Sequence, residues 1–231
     1  MHLKRLTAPR FWKIPKKIAK WAVTPRPGPH KKLESIPLLV IVRDILKLVD
    51  VAKEAKKIIK AGEILVDGEP RKDHKFPVGL MDVIEIPKIN KRYRVVPVKE
   101  GLQLIEISKK EASLKLCRIN NKTTVKGGIT QLNLHDGRNV LVKKDVYKTG
   151  DSLLIEVPSQ KIVDHIKLEK GSLAVITGGQ NRGRIVEVKE IVVTRSREPN
   201  KVMCVADGEE ITAIKDYVFV VGKKKPLIKL S

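Results

Sequence analysis

Lys53, Lys56, Lys57 and Lys60 stand at positions i, i+3, i+4 and i+7 of one short segment. At about 100° per residue, that spacing gathers them into an arc of about 100° on a helix. Ala52, Ala55, Ile58 and Ile59 fall on the opposite side. Each lysine is a flexible point charge suited to a phosphate oxygen. An ordinary solvated helix face mixes signs, whereas only Glu54 is acidic between Val51 and Gly62. The stripe therefore reads as a face for a polyanion. A second cationic group lies in Thr177-Gly178-Gly179-Gln180-Asn181-Arg182-Gly183-Arg184, between two apolar stretches. Glycines let the backbone take positive φ and approach a ligand closely, and guanidinium groups pair bidentately with phosphate. A plain β-hairpin with a flexible loop is the bland alternative for this run.

Signals of catalysis are weak. His2, His30, His74, His135 and His165 are scattered, and no pair has the spacing of a zinc-binding HExxH helix. No nucleophile elbow occurs. Gly178-Gly179 is not followed by Gly-Lys-Ser/Thr, so it is no P-loop. Cys117 and Cys204 read as reduced, buried thiols. No cofactor, metal site or catalytic residue is expected.

The elements that must position these groups follow from periodicity. Leu38, Ile41, Val42, Ile45, Leu46 and Val49 have helical spacing, with Ser35 as the expected cap and Pro37 in the first turn. Asp50 is the expected cap of the lysine helix, and Gly62 its stop. The period then changes. Ile64-Leu65-Val66 runs into Asp67-Gly68, a tight-turn signal, and Met81 to Ile86 reads as a further strand. Beyond residue 91 short strands and turns follow one another, with no long helix, as in small sandwiches or barrels.

Charge bounds the partner. The 231-residue chain carries a formal charge of +22. Residues 1–34 contribute +9, residues 35–90 only +1, residues 91–168 +8 and residues 169–231 +4. An excess of this size calls for a polyanion, usually nucleic acid. An anionic membrane is the rival, but no lipidation motif, signal-peptide core or bilayer-length apolar run is present. Aromatics make up 3% of the chain. Contact with RNA backbone and shape is thus favoured over base-by-base stacking. Five prolines at positions 9, 15, 25, 27 and 29 preclude one long helix in the first segment. It reads as an extended basic arm that gains order on a partner, with Phe11, Trp12 and Trp21 arguing against a merely solvated tail.

Family resemblances now attach to these residues. The stretch Ala55 to Pro70 resembles the S-four RNA-binding domain: a basic helix, a glycine stop, a short strand and an Asp-Gly turn. The resemblance implies RNA contact by Arg43, Lys53, Lys56, Lys57, Lys60, Arg71 and Lys72. The stretch Lys170 to Val186 resembles a KOW motif. Gly183 matches its characteristic glycine, and Val186 stands where many relatives have another glycine. Arm, S-four-like block, central β region and KOW hairpin, in that order, resemble the archaeal and eukaryotic S-four-e family of small-subunit ribosomal proteins. The end at Ser231 suits an archaeal member.

The fold expected is α+β and mostly β. It comprises a basic extended arm (1–34), a helix-helix-hairpin S-four-like domain (35–90), a central β domain (91–168) and a C-terminal small β-barrel with the KOW motif and a basic tail (169–231). In the arm, Arg5, Arg10, Trp12, Lys13, Lys16, Lys17, Lys31 and Lys32 are the expected RNA contacts; in the KOW loop they are Asn181, Arg182 and Arg184. The expected partners are small-subunit rRNA and neighbouring small-subunit proteins, in the cytoplasmic ribosome, with neither membrane attachment nor homo-oligomerisation. Two other functions share one or the other of these motifs. An RNA-modifying enzyme such as a pseudouridine synthase would need a large catalytic domain with an aspartate motif, which is not found. A transcription elongation factor would not carry the S-four-like block or the arm.

Overall fold

The computed structural model describes residues 2–206 and 208–230; Met1, Asp207 and Ser231 lie outside the described residues. By packing, the chain divides into two compact units. One is Met1–Val95 with Leu102–Ser113, and the other is Val96–Gly101 with Leu114–Ser231. Among the described residues, no helix is long and apolar enough to cross a membrane.

In the first unit, β1 (Leu3–Lys4) pairs with β2 (Trp21–Ala22). β3 (Ile36–Pro37) leads into α1 (Leu38–Val40). The helix widens at once into a π-turn over Ile41–Ile45. Bonds from Leu46 N–H to the Ile41 carbonyl (2.8 Å) and from Leu48 N–H to the Val42 carbonyl (3.0 Å) hold the widened turn. The lysine helix is α2 (Ala52–Lys60). β4 (Leu65–Val66) and β5 (Glu69–Pro70) form a tight hairpin. Asp67 (φ 54°) and Gly68 (φ 76°) both lie at positive φ, the type I′ geometry that the Asp-Gly pair favours. β6 (Pro77–Val78) pairs with β3, and β7 (Val83–Ile86), β8 (Lys91–Val98) and β9 (Gly101–Glu106) complete a sheet of order β5-β4-β7-β8-β9. A short α3 (Lys109–Ala112), capped by Ser108, closes the unit.

Several expectations are corrected here. Neither predicted cap acts. The N-cap of α1 is Pro37, and its first amides donate instead to the Phe76 and His74 carbonyls, both at 3.0 Å. Backbone from the segment before β6 thus replaces a side-chain cap. α2 begins after Val51, one residue beyond Asp50, without a side-chain cap. The strand expected from Met81 starts at Val83, because Met81 sits in the left-handed region at φ 64°. The arm is not extended. It folds back so that Leu3, Trp12 and Ile14 enter the same core as Ile36, Leu38, Ile41, Ala55 and Ile59. Arg5 N–H donates to the Lys20 carbonyl (3.0 Å), and Trp12 Nε1–H to the Ser35 carbonyl (2.9 Å). Its few apolar residues suffice because they complete a core built by the next segment. The seam continues at His30, whose Nε2 lies 3.0 Å from both oxygens of Asp82. A Cβ on Gly79 would fall 2.2 Å from the His30 ring, so only glycine admits the imidazole. The boundary expected after residue 90 also falls inside a ladder, since β7 pairs with β8 from Ile86↔Lys91 to Val83↔Arg94.

The second unit holds two antiparallel five-stranded sheets. β10 (Leu114–Val125), β11 (Ile129–Leu134), β12 (Asn139–Val142), β13 (Ser152–Glu156) and β14 (Ile162–Ile166) run in the order β12-β11-β10-β13-β14. The twelve-residue β10 pairs with β13 through its first half and β11 through its second, with a register shift at Ile119/Asn121. β15 (Leu173–Ile176), β16 (Ile185–Val192), β17 (Lys201–Ala206), β18 (Glu209–Ile214) and β19 (Val218–Gly222) run β18-β17-β16-β15-β19, so β18 and β19 are the edges. Cys117 and Cys204 lie buried as free thiols in the two separate cores.

Candidate nucleic-acid interface

The lysine helix keeps its cations on the surface. Ala55 and Ile59 are fully buried, while Lys53, Lys56, Lys57 and Lys60 are exposed. Alanine and lysine favour the helix, and the alternation of alanine and isoleucine with lysine gives it two faces. None of these four lysines forms an ion pair with a carboxylate among the described residues. Their charge also reaches His74: burial, helped by Lys56, pushes that imidazole below its ordinary value. Arg43 and Arg71 differ. The first is bound to Asp44 (2.7 Å). The second is bound to Glu69 (2.6 Å) and lies 4.7 Å from the Phe76 ring centre. Lys72 is exposed on the same unit.

The arm divides into residues buried in the fold and residues at its surface. Trp12 has no exposed surface and Arg5 is 7% exposed, its Nε donating to the Pro15 carbonyl. Both are therefore removed from the expected RNA surface, because they pin the fold of the arm. Lys16 donates to the Ala8 carbonyl (2.6 Å), and Lys31 lies 3.8 Å from Glu34. Arg10, Lys13 and Lys17 are exposed, and Lys32 is half-buried.

The glycine-rich loop joins β15 to β16. Gly183 (φ 82°) approaches the backbone of Val98 so closely that a Cβ would lie 2.7 Å from its Cα. Packing within the unit thus requires this glycine. Arg182 Nε donates to the Thr177 carbonyl (2.7 Å), and Arg184 pairs with Glu209 (3.2 Å). Asn181 accepts from Arg184 N–H through its carbonyl (3.3 Å). The loop residues are brought together, but much of their bonding goes to the protein.

One buried cluster escaped the sequence reading. Cys117, His135 and Asp136 bring donor atoms within 4.8 Å of one another. Asp136, however, is held by fully buried Lys115 (2.9 Å) and by Arg138 (2.5 Å). Burial by itself would raise the Asp136 carboxyl, but Lys115, His135 and Arg138 hold it far below the usual carboxylate range. His135 Nδ1 already accepts from Arg118 N–H (3.2 Å). Two cations on the carboxylate make this a structural ion pair rather than a cation site. Lys115 sits in the alternating strand β10, and only its intrusion into an apolar run hints at it.

Three family models match: the RS4NT (NUC023) domain over residues 1–33, the S4 domain over residues 37–84 and the ribosomal family S4e over residues 89–162. The chain is 53% identical to the small ribosomal subunit protein eS4 of Archaeoglobus fulgidus, covering 100% of this chain and 98% of that one. It is 52% identical to the eS4 protein of Methanocaldococcus jannaschii, covering 99% and 97%. The crystal structure of the 30S ribosomal protein S4e from Thermoplasma acidophilum superposes with a TM-score of 0.71 at 36% identity, covering 82% of this chain and 96% of that one.

Proposed function

The chain belongs to the ribosomal family S4e, and on that basis we propose that it is a structural constituent of the small ribosomal subunit that binds and stabilises small-subunit rRNA by neutralising phosphates. It acts in the cytoplasmic ribosome, by binding rather than catalysis. The observation that carries the reading is the α2 face: four exposed lysines without carboxylate partners among the described residues, on a helix anchored by Ala55 and Ile59. Fixed cations of this kind release counterions from RNA and let its segments pack closely. The chain is organised for this as the basic segment 1–34, the S4 module from residue 35 with no break at residue 90, the central β region up to residue 168 and the KOW-type sheet 169–231. The arm contributes Arg10, Lys13, Lys16, Lys17, Lys31 and Lys32. The S4 module adds Arg43, Arg71 and Lys72 around the lysine stripe, and the KOW loop adds Asn181, Arg182 and Arg184. Neighbouring small-subunit proteins are its other partners.

The test is binding of the full chain to a small-subunit rRNA transcript across a salt series. Tight binding with a steep negative salt slope is expected. Affinity for that RNA no greater than for an unrelated duplex, together with failure to sediment with small subunits, would overturn the reading.

A further inference from the structure

The largest charge excess outside the arm, +8 over residues 91–168, has no assigned ligand. Within the second unit a cleft of about 490 Å³ is lined by Lys122, Lys148, Thr149, Asp151, Leu168, Ile191 and Lys215. That volume falls within the ~300–1,000 Å³ range of small-molecule sites. The charges around it are unequal. Asp151 is spent: its oxygens accept from Leu168 N–H (2.9 Å) and Lys148 N–H (3.0 Å), and His165 Nε2 lies at 2.8 Å. Lys122 is spent as well, holding the 145–147 segment through Asp145 and the Tyr147 carbonyl. Lys148 and Lys215 form no ion pair with a carboxylate among the described residues. Gly150 lets Lys215 lie across the backbone, since a Cβ there would be 3.2 Å from Lys215 Cε. Leu168 and Ile191 supply an apolar wall.

We propose that this cleft takes one unpaired nucleotide of the bound RNA, its phosphate on Lys148 and Lys215 and its base against Leu168 and Ile191. The assignment rests on the rRNA-binding reading above. A paired base cannot enter a concave site, whereas loops and bulges present splayed nucleotides whose faces pack on side chains. Two ammonium groups beside an apolar wall match phosphate and base together. The shared chemistry is that of a nucleoside monophosphate, so a free nucleotide is the other source.

The test compares the full-length protein with Lys148→Ala/Lys215→Ala, Lys148→Arg/Lys215→Arg and Thr149→Trp, using a small-subunit rRNA transcript across a salt series and adenosine monophosphate separately. The two lysines share one phosphate, so its loss should lower the salt slope by about 0.7 for the alanine pair. The arginine pair should restore it. Thr149→Trp fills the cleft and keeps every charge, so it should weaken rRNA binding several-fold with the slope of the remaining contacts unchanged. Adenosine monophosphate should bind weakly and be displaced by the transcript. Wild-type binding that survives unaltered in the alanine pair and in Thr149→Trp would overturn the cleft alone. So would tight adenosine monophosphate binding that the transcript does not displace. Failure of the wild type to bind rRNA would overturn the functional reading, and the cleft with it.

Discussion

The arm and helix α2 are both basic parts of one unit, yet they use their residues in opposite ways. The arm carries ten basic residues against one acidic residue. Even so, Arg5 is committed to the Pro15 carbonyl, Lys16 to the Ala8 carbonyl and Trp12 to the core. The helix has fewer cations and keeps all four stripe lysines exposed. Net charge therefore counts how many cations a segment has, while packing decides how many remain for a ligand. A flexible lysine on a rigid helix stays available, whereas an arginine in a segment short of regular hydrogen bonds is recruited to satisfy stray carbonyls.

The contrast breaks most sharply at Trp12. Trp12→Ala should cost about 3–5 kcal/mol of stability, as for large aromatic truncations in cores, read by urea denaturation of the free protein. A change under ~0.5 kcal/mol, the range of ordinary surface substitutions, would mean the arm is not part of the core. Replacing Lys53, Lys56, Lys57 and Lys60 together by alanine should leave stability nearly unchanged, because alanine is the better helix former. The same change should lower the salt slope of rRNA binding by about one unit per lost contact, and an unaltered slope would strip α2 of its role. Arg10→Ala/Lys17→Ala should lower that slope by about two units at most; a drop as large as that of the helix variant would erase the distinction between the two regions. The smallest effect concerns His74. Its folded value lies below the unfolded one, so protonation favours unfolding. The associated stability is present above the unfolded value, about 6.5, and is lost as pH falls from there through the lower folded value. In an NMR titration His74 should therefore have its midpoint below 6.5, Lys56→Ala should raise it, and bound RNA should raise it further. A midpoint indifferent to Lys56 would detach the imidazole from the lysine face.

How much of this was legible depended on the range of the interaction. The two-faced α2, the Asp67-Gly68 turn and the mostly-β second half follow from local spacing and turn chemistry, and the structure contains all three. The caps did not follow, because backbone from Phe76 and His74 does the work expected of Ser35. The burial of Trp12 depends on Ser35 and a core assembled from residues 36–64. Of the site residues, the stripe lysines were visible as a pattern. Lys148 and Lys215 were not, because only the packing of the second unit brings them to one cleft. The pairing of Arg184 with Glu209 was hidden in the same way.

The His30–Asp82 pair joins residues 52 positions apart in the chain, and Gly79 shapes the space for the imidazole. During synthesis the first thirty residues leave the exit tunnel well before the turn that receives them. The nascent amino terminus must stay unsettled through that interval, with Trp12 uncovered and all eight of its cations open to any passing nucleic acid. The seam thus sets a timetable: the S4 module has to emerge before the segment that precedes it can close, and a pause in translation after residue 34 would prolong the exposed state.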